Sequence, residues 1–346
     1  MAFKNVGTYD LDKAVSRSAG TANAAAFTMD AAGIASGQAF LTAELEKRDP
    51  LVRTPLTSFT YARDIPIRVG GGWAEFVSAM QVGYGITGGS GDNLMHSGGA
   101  NGIPMVQADF SKGMYKAHMV AAGTRVMWID LQRGNMTGRN MDSLLRDGLR
   151  LTYDKHMDEN TYAGFSRFGT TGLVNNADAT VTSAASNGAT VASTKFKDKT
   201  PDQILKDIND GILLAWNACE NDNAAIPNHI LMPYEQFNYL ATTKVTELAE
   251  KTILTFLLEN NVAKQNGSDL VIAATKWCKG AGDAGADRMV IYRNEERFLA
   301  MDELAPLTRA MTSSNTQDFC FDTAYAGNLS EVEVFYDQTM LYVDGI

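Results

Sequence analysis

Cysteine is scarce in this 346-residue chain: Cys219, Cys278 and Cys320 stand far apart, and no CxxC spacing occurs. That excludes a disulfide framework and a cysteine zinc motif, leaving reduced, buried thiols as the simple reading. Long apolar runs are missing too. No stretch of about eighteen uncharged apolar residues appears, so no membrane-spanning helix and no membrane partner are expected. The start, MAFKNVGTYDLDKAV, lacks an apolar core of signal-peptide length, which places the expected site of synthesis and residence in a cytoplasm. Clustered positive charge is the third absence. With 30 Lys and Arg against 40 Asp and Glu, the formal net charge is -10. Nothing resembling a basic track interrupts that acidity, which argues against a general nucleic-acid binder.

What is present is an ordinary globular composition, 45% hydrophobic and 20% charged, with material for a large core. The best-signalled element is Asn140 to Gly164, a long amphipathic helix read as the spine of the fold. Leu145, Leu149 and Tyr153 recur at i, i+4 and i+8, widened by Leu144 and Leu151, while Asp142, Arg146, Arg150, Lys155 and Asp158 take the opposite side. Asn140 suits the N-cap and Gly164 the stop. On this pattern the stripe is the folding core, and Leu149→Asp is expected to bury an unpaired charge at a cost of several kcal/mol.

Before the spine, residues 1–48 are rich in Ala, Gly, Ser and Thr, and only Phe40 to Lys47 has helical spacing, so an extended arm is expected. Strand-like alternation follows in TSFTYARDIPIRV, GWAEFVSAMQVGY and MVQADFSKGMYKAHMVAAGTRVMWIDL. Between the last two, Val82 to Pro104 is too glycine-rich to hold a fixed conformation without a partner. After the spine comes a turn-rich polar connection, then an αβ pattern. Thr200-Pro201-Asp202 opens a helix with stripe Ile204, Ile208, Ile212 and Trp216. His229 to Met232 reads as a buried strand, PYEQFNYLAT as a helix, and Thr246 to Asn260 as another using Leu248, Ile253, Phe256 and Leu257. Leu270 to Ala274 and Arg288 to Tyr292 read as strands. DFCFDTAY, EVEVFYD and TMLYVDG end the chain as β-segments, with turns expected at Gly327-Asn328 and Asp337-Gln338.

Several stretches carry residue patterns associated with catalysis or binding. Gly83-Tyr84-Gly85-Ile86-Thr87-Gly88 matches GxGxxG but lacks the helix that a dinucleotide fold needs next. Ser90 and Ser166 lack the second glycine of a nucleophile elbow, having Asp92 and Phe168 there. His156 and Glu159 are spaced for a carboxylate-bridged metal site, yet no matching pair is visible, and a solvated face with Lys155–Glu159 and Arg150–Asp154 pairs is the plainer reading. His96, His118, His156 and His229 fall in separate elements. Lys195, Lys197 and Lys199 read as a solvated edge. No catalytic, cofactor-binding or metal residue survives, and no cofactor is expected.

The segments LDKAV…FLTAELEKRDPLVRTPL, MVAAGTRVMWIDLQRGNMTGRNMDSLLRDGLRLTYDKHMDENTYAG, GLVNNADAT, TPDQILKDINDGILLAWN and HILMPYEQFNYLATTKVTELAEKTILTFLLENN, in this order, resemble the major capsid proteins of tailed bacteriophages with the Hong Kong 97-type fold. The resemblance implies an α+β fold: an N-terminal arm at 1–48 and an extended β-loop beginning a peripheral domain at 49–139. The spine helix and connection would occupy 140–200, an α/β axial domain 201–304, and C-terminal strands returning to the peripheral domain 305–346. It further implies a structural protein, not an enzyme, that self-assembles through hexamers and pentamers into the icosahedral head around a double-stranded DNA genome. Scaffold, portal and decoration proteins are then possible partners, packaged DNA is touched only weakly and non-specifically, and the location is the virion capsid after assembly in the host cytoplasm. An encapsulin-like nanocompartment shell is the alternative, with an α/β enzyme or a tail or decoration protein behind it.

Overall fold

The computed structural model describes residues 55–87, 105–137, 141–189, 192–246 and 251–346. The expected arm, His96, Ser90, Asn140 and most of the glycine-rich stretch lie outside the described residues. In chain order, a short α1 (Tyr61–Asp64) and β1 (Ile67–Val69) precede β2 (Phe76–Thr87), β3 (Met105–Met127), α2 (Trp128–Thr137) and α3, the spine (Met141–Tyr162). Next come β4 (Thr180–Ser183), α4 (Pro201–Ala218), β5 (His229–Met232), α5 (Tyr234–Thr242), α6 (Ile253–Glu259), α7 (Val262–Gln265), β6 (Val271–Ala274) and β7 (Arg288–Tyr292). The chain ends in β8 (Leu299–Glu303), β9 (Ala305–Asn315), β10 (Cys320–Ser330), β11 (Val332–Val334) and β12 (Met340–Asp344).

Three strands buried along their whole length, β5, β7 and β12, organise the C-terminal half. With β4 and β6 they form a five-stranded sheet in the order β4-β12-β7-β5-β6, and because side chains alternate across a sheet, its inner strands feed two cores. Ile230, Met232, Ile272, Met289, Ile291, Leu341 and Val343 pack with Ile204, Ile208 and Ile212 of α4 and with Ile253 and Leu257 of α6. Their neighbours Leu231, Ala273, Val290, Tyr292, Met340 and Tyr342 pack with Met157 and Tyr162 at the end of the spine. α4 starts as its sequence directs: Thr200 and Gln203 form a reciprocal capping box with Pro201 following. Trp216 is only half-buried, and Ala215 closes the stripe instead. The helix expected from Thr246 to Asn260 is shorter, α6 beginning at Ile253 behind its cap Thr252.

The last strand joins the α/β lobe's sheet as well as packing on the end of the spine. β12 lies between β4 and β7 in the five-stranded sheet, since every residue in it is buried and only a strand covered on both faces accommodates that. Gly327-Asn328 is no turn but part of β10, at a register irregularity with β9. There Asn328 Nδ2 donates to the carbonyls of Gly72 (3.2 Å) and Ala74 (2.8 Å), tying down the chain that enters β2.

The spine has 22 residues, about 33 Å at 1.5 Å per residue. Its buried part is not the expected stripe. Leu145, Leu149 and Tyr153 are half-buried, whereas Met157, Asp158, Asn160, Thr161 and Tyr162 are buried. Only the last turn and a half meets the five-stranded sheet and its core. Asp158, expected on the solvent side, is 2% exposed and accepts from Thr60 N (3.0 Å) and Trp277 Nε1 (2.8 Å). Asp154 accepts from the Tyr61 hydroxyl at 3.3 Å. Beyond Tyr162, Gly164 turns left-handed at φ 64°, and the returning chain satisfies terminal carbonyls through Leu173 N to Thr161 O (2.8 Å) and Val174 N to Tyr162 O (3.0 Å). Gly172 passes so close that a Cβ would lie 2.3 Å from Tyr162 O.

Beside the spine's end, Asp64 is fully buried and joins three parts of the fold. Its Oδ2 accepts from the Tyr162 hydroxyl, while Oδ1 accepts from Arg63 Nε (2.6 Å) and lies 3.0 Å from His229 Nε2. Burial alone raises a carboxyl pKa, but the hydrogen bonds from Arg63, His229 and Tyr162 outweigh it and hold Asp64 below its usual range. The Tyr292 hydroxyl donates to the Asp64 carbonyl at 2.6 Å.

A three-stranded sheet, β1-β8-β11, supports the base of the long strands. One guanidinium serves two carboxylates there: Arg68 bonds Asp302 (2.5 Å) and the fully buried Glu333 (2.6 Å). Burial, then the Asp302 charge, pushes the Glu333 carboxyl up to about 7 against the pull of Ser330 and Arg68. A folded-state pKa above the unfolded value means that the native state binds the extra proton. Stability is therefore lost as pH rises from about 4.5 through about 7 and then levels off. Glu333→Gln is accordingly expected to stabilise the subunit by roughly 1–3 kcal/mol at pH 8 and by little at pH 4, as read by denaturant unfolding. An equal effect at both pH values would contradict this assignment.

Candidate assembly surface

β2 and β3 pair antiparallel from Phe76–Lys116 to Thr87–Met105, a ribbon of roughly 40 Å at about 3.4 Å per residue. Gly83 and Gly85 sit within β2, so the GxGxxG-like stretch is continuous strand as far as Thr87, not the start of a dinucleotide loop. Directly opposed residues share a face. One face collects Phe76, Met80, Val82, Tyr84, Val106, Phe110 and Met114, with Lys112 and Lys116 as its charged residues, and its apolar side chains are bare: Tyr84 is 77%, Met80 73% and Phe110 65% exposed.

The opposite face is pinned at its base. Tyr115 donates to Val334 O (2.5 Å), Gln81 to Phe335 O (2.7 Å), and the Arg68 guanidinium lies over the Phe335 ring at 5.5 Å. Farther out this face carries Gly83, Gly85, Gln107 and Asp109. The ribbon is therefore held in place while one long apolar surface stays in water. Monomeric soluble proteins seldom expose contiguous apolar surface on this scale unless another molecule covers it.

Two further surfaces are similarly open. At the far end of β3, Met127, Trp128 and Ile129 gather with Phe319 and Phe321 from the turn and strand beside them, Phe319 being 69% exposed. Between the first half of the spine and the sheet lies a groove of about 430 Å³, walled by Leu149, Tyr153, Leu307 and Tyr325 and flanked by Arg146 and Arg150. Tyr153 donates to Glu303 at 2.8 Å on its floor, and burial raises that phenol's pKa further than the hydrogen bond does. The half-exposed spine stripe is one wall of this groove.

Among the described residues, the positions weighed for chemistry take mostly structural places. Ser166 is exposed in a single helical turn. His156 stacks on Phe165 at 4.6 Å, its pKa lowered by burial, and Glu159 is exposed. The structure does unite two of the separated histidines: His118 and His156 line one cavity of about 210 Å³ with Phe165, Phe168 and Asn160. Nothing in their spacing of 38 positions along the sequence signals it. His229 belongs to the Asp64 cluster. Lys195 and Lys197 are exposed, but Lys199 is buried against Asp207, which corrects the solvated-edge reading at that position. Among the described residues, no group of three or more His, Cys, Asp or Glu side chains is placed to hold a metal ion, and no helix is long and apolar enough to cross a membrane.

A sheet arm held at its base with one apolar face uncovered, a long helix half in contact with its neighbours, and an α/β lobe define a structural protein built to be completed by contacts with other molecules. The model of the family described as major capsid protein matches residues 91–346; the chain belongs to that family and is a capsid shell protein. Among solved structures, the fold is similar to the capsid of Myoviridae phage XM1, with a TM-score of 0.72 at 18% identity, covering 88% of this chain and 98% of that one. It is also similar to a structure from Microbacterium phage Oxtober96, with a TM-score of 0.59 at 11% identity, covering 89% and 97%. A third is the capsid of a native GTA particle, with a TM-score of 0.58 at 10% identity, covering 86% and 94%. Comparison with curated protein sequences returns no match. The expected α+β fold of tailed-phage capsid proteins is thus the fold found.

Proposed function

We propose that many copies of this chain assemble, through hexamers and pentamers, into the icosahedral head enclosing a double-stranded DNA phage genome. The observation that carries this reading is the bare apolar face of the β2–β3 ribbon, which a neighbouring copy covers. In Hong Kong 97-type terms the ribbon is the extended loop and α3 the spine of a peripheral domain, and residues 201–304 make the body of an axial domain. Assembly takes place in the host cytoplasm, with scaffold, portal or decoration proteins as further partners, and the role includes no catalytic step. The net charge of -10 favours a wall that touches packaged DNA only weakly, since tight binding would need clustered cations releasing counterions at each phosphate.

Negative-stain microscopy of protein purified from infected or expressing cells, with a nuclease-protection assay for enclosed DNA, tests this proposal. Closed shells, carrying protected DNA when taken from infected cells, are the expected result. A protein that stays a soluble subunit at all concentrations would overturn it, and closed shells that enclose protein cargo instead of DNA would favour a nanocompartment.

A further inference from the structure

The cavity of about 210 Å³ lies where the end of the spine meets β3 and β10. His118 and Val120, two apart on β3, line one side, and Leu329 stands opposite His118 on β10. His156 comes from the spine, Phe165 and Phe168 from the loop that follows it. That loop is closed on itself: Thr170 N donates to Phe165 O (3.3 Å) and Phe165 N to Thr170 Oγ1 (2.8 Å). Lys116 Nζ donates to Gly169 O (3.3 Å) and ties the loop to β3. Both phenyl rings are thereby set against an imidazole, Phe165 on His156 at 4.6 Å and Phe168 beside His118 at 5.0 Å.

The lining holds a polar atom that the protein does not use. His118 Nε2 is shut off from solvent and has no hydrogen-bond partner among the described residues, a situation rare enough in folded proteins to require a reason. Other polar groups around the cavity are committed. Asn160 Nδ2 donates to Ser330 O (3.0 Å), Ser330 Oγ donates to Glu333 (3.0 Å), and Thr170 Oγ1 holds the Phe165 backbone. A lone water at Nε2 would find few of the roughly two to four partners that keep a buried water in place.

Charge and size sort the ligand further. Burial lowers the His156 pKa, so that ring is neutral at physiological pH. Glu331 also lines the cavity and disfavours an anion; Lys116 at the loop and the Arg167 guanidinium, 6.0 Å over the Phe168 ring, disfavour a cation. A neutral planar ring fits, because phenyl and imidazole walls offer it offset or edge contacts. An apolar cavity of roughly 150 Å³ admits benzene, so 210 Å³ holds one ring with a small substituent. A hydroxyl substituent can donate or accept, and therefore satisfies Nε2 in either tautomer of His118.

We infer that this cavity is a binding site for a neutral phenolic ring, its hydroxyl on His118 Nε2 and its ring against Phe165 and Phe168. The same chemistry has two sources, a free phenol and the tyrosine side chain of another polypeptide. p-Cresol, which is that side chain without its backbone, is the probe, and toluene is the same ring without the hydroxyl. Each is titrated into free subunits and followed by calorimetry and by the imidazole nitrogen resonances. p-Cresol is expected to bind saturably and to shift the His118 Nε2 resonance, which toluene leaves in place. His118→Phe keeps a ring beside Phe168 but strands the hydroxyl without a partner, and is expected to cut the preference for p-cresol over toluene at least about tenfold.

No saturable binding of p-cresol, or an unchanged preference in the variant, overturns the inference. Should the variant fail to fold, the wild-type resonance decides, and equal shifts with p-cresol and toluene overturn it. Shells distinguish the sources. Uptake of p-cresol by shells equal to that by subunits supports a free phenol. Lost uptake, with the His118 Nε2 resonance already at its p-cresol-bound position, supports a tyrosine side chain; lost uptake without that shift overturns the inference. The subunit titration stands apart from the assembly reading, so either can fail without the other.

Discussion

Phe110→Glu is expected to abolish shell formation and leave a folded, soluble subunit. Phe110 is 65% exposed, opposite Val82 near the middle of the ribbon, so a carboxylate there is solvated in the free chain. In a shell the same carboxylate is taken out of water against apolar atoms, with Lys112, two residues along the same face, the nearest cation on its own strand, a penalty of about several kcal/mol per contact. Every copy repeats the defect, and closure needs all contacts together. Phe110→Leu keeps the apolar character and is expected to assemble. Sedimentation distinguishes shells from subunits, and circular dichroism reports the fold. Normal shells from the glutamate variant would mean that this face is not buried on assembly.

The second large effect is on the subunit itself. Asp64→Ala removes the carboxylate that Arg63, His229 and Tyr162 share and leaves those groups facing one another in a buried site. Breaking one partner of such a buried network typically costs about 3–5 kcal/mol, a large part of the roughly 5–15 kcal/mol that holds a domain together. Leu149→Asp, by contrast, places its charge on the open wall of a groove beside Arg146 and Arg150 and is expected to cost no more than about 1 kcal/mol. Denaturant unfolding of unassembled subunits measures both. The reverse ranking would return the folding core to the Leu145, Leu149, Tyr153 stripe.

That contrast marks where the sequence could be read and where it could not. Local signals carried α4, because Thr200-Pro201 and the isoleucines four apart all point one way, and they carried β5 and β7, whose residues are apolar on both faces. The spine's existence was plain from its period. Which part of it is buried was not, because burial depends on the sheet that arrives from residues far downstream. Asp158 read as a solvent-facing acid for the same reason: its partners Thr60 and Trp277 are distant in sequence. β9 escaped notice because THR-ARG-ALA-MET-THR-SER-SER, from Thr308 to Ser314, has no apolar alternation; pairing with neighbouring β10, not core burial, makes it a strand. The ribbon's alternation in FVSAMQVGY was legible, but not which face would be left bare.

Oxidative footprinting of Met80 and Met114, comparing free subunits with assembled shells, tests the central claim most directly. Both side chains are on the bare face, 73% and 60% exposed. Covering that face with a neighbouring copy predicts that both oxidise readily in the subunit and at least about tenfold more slowly in the shell, because rate follows access. Equal oxidation of Met80 and Met114 in the two states would contradict the account.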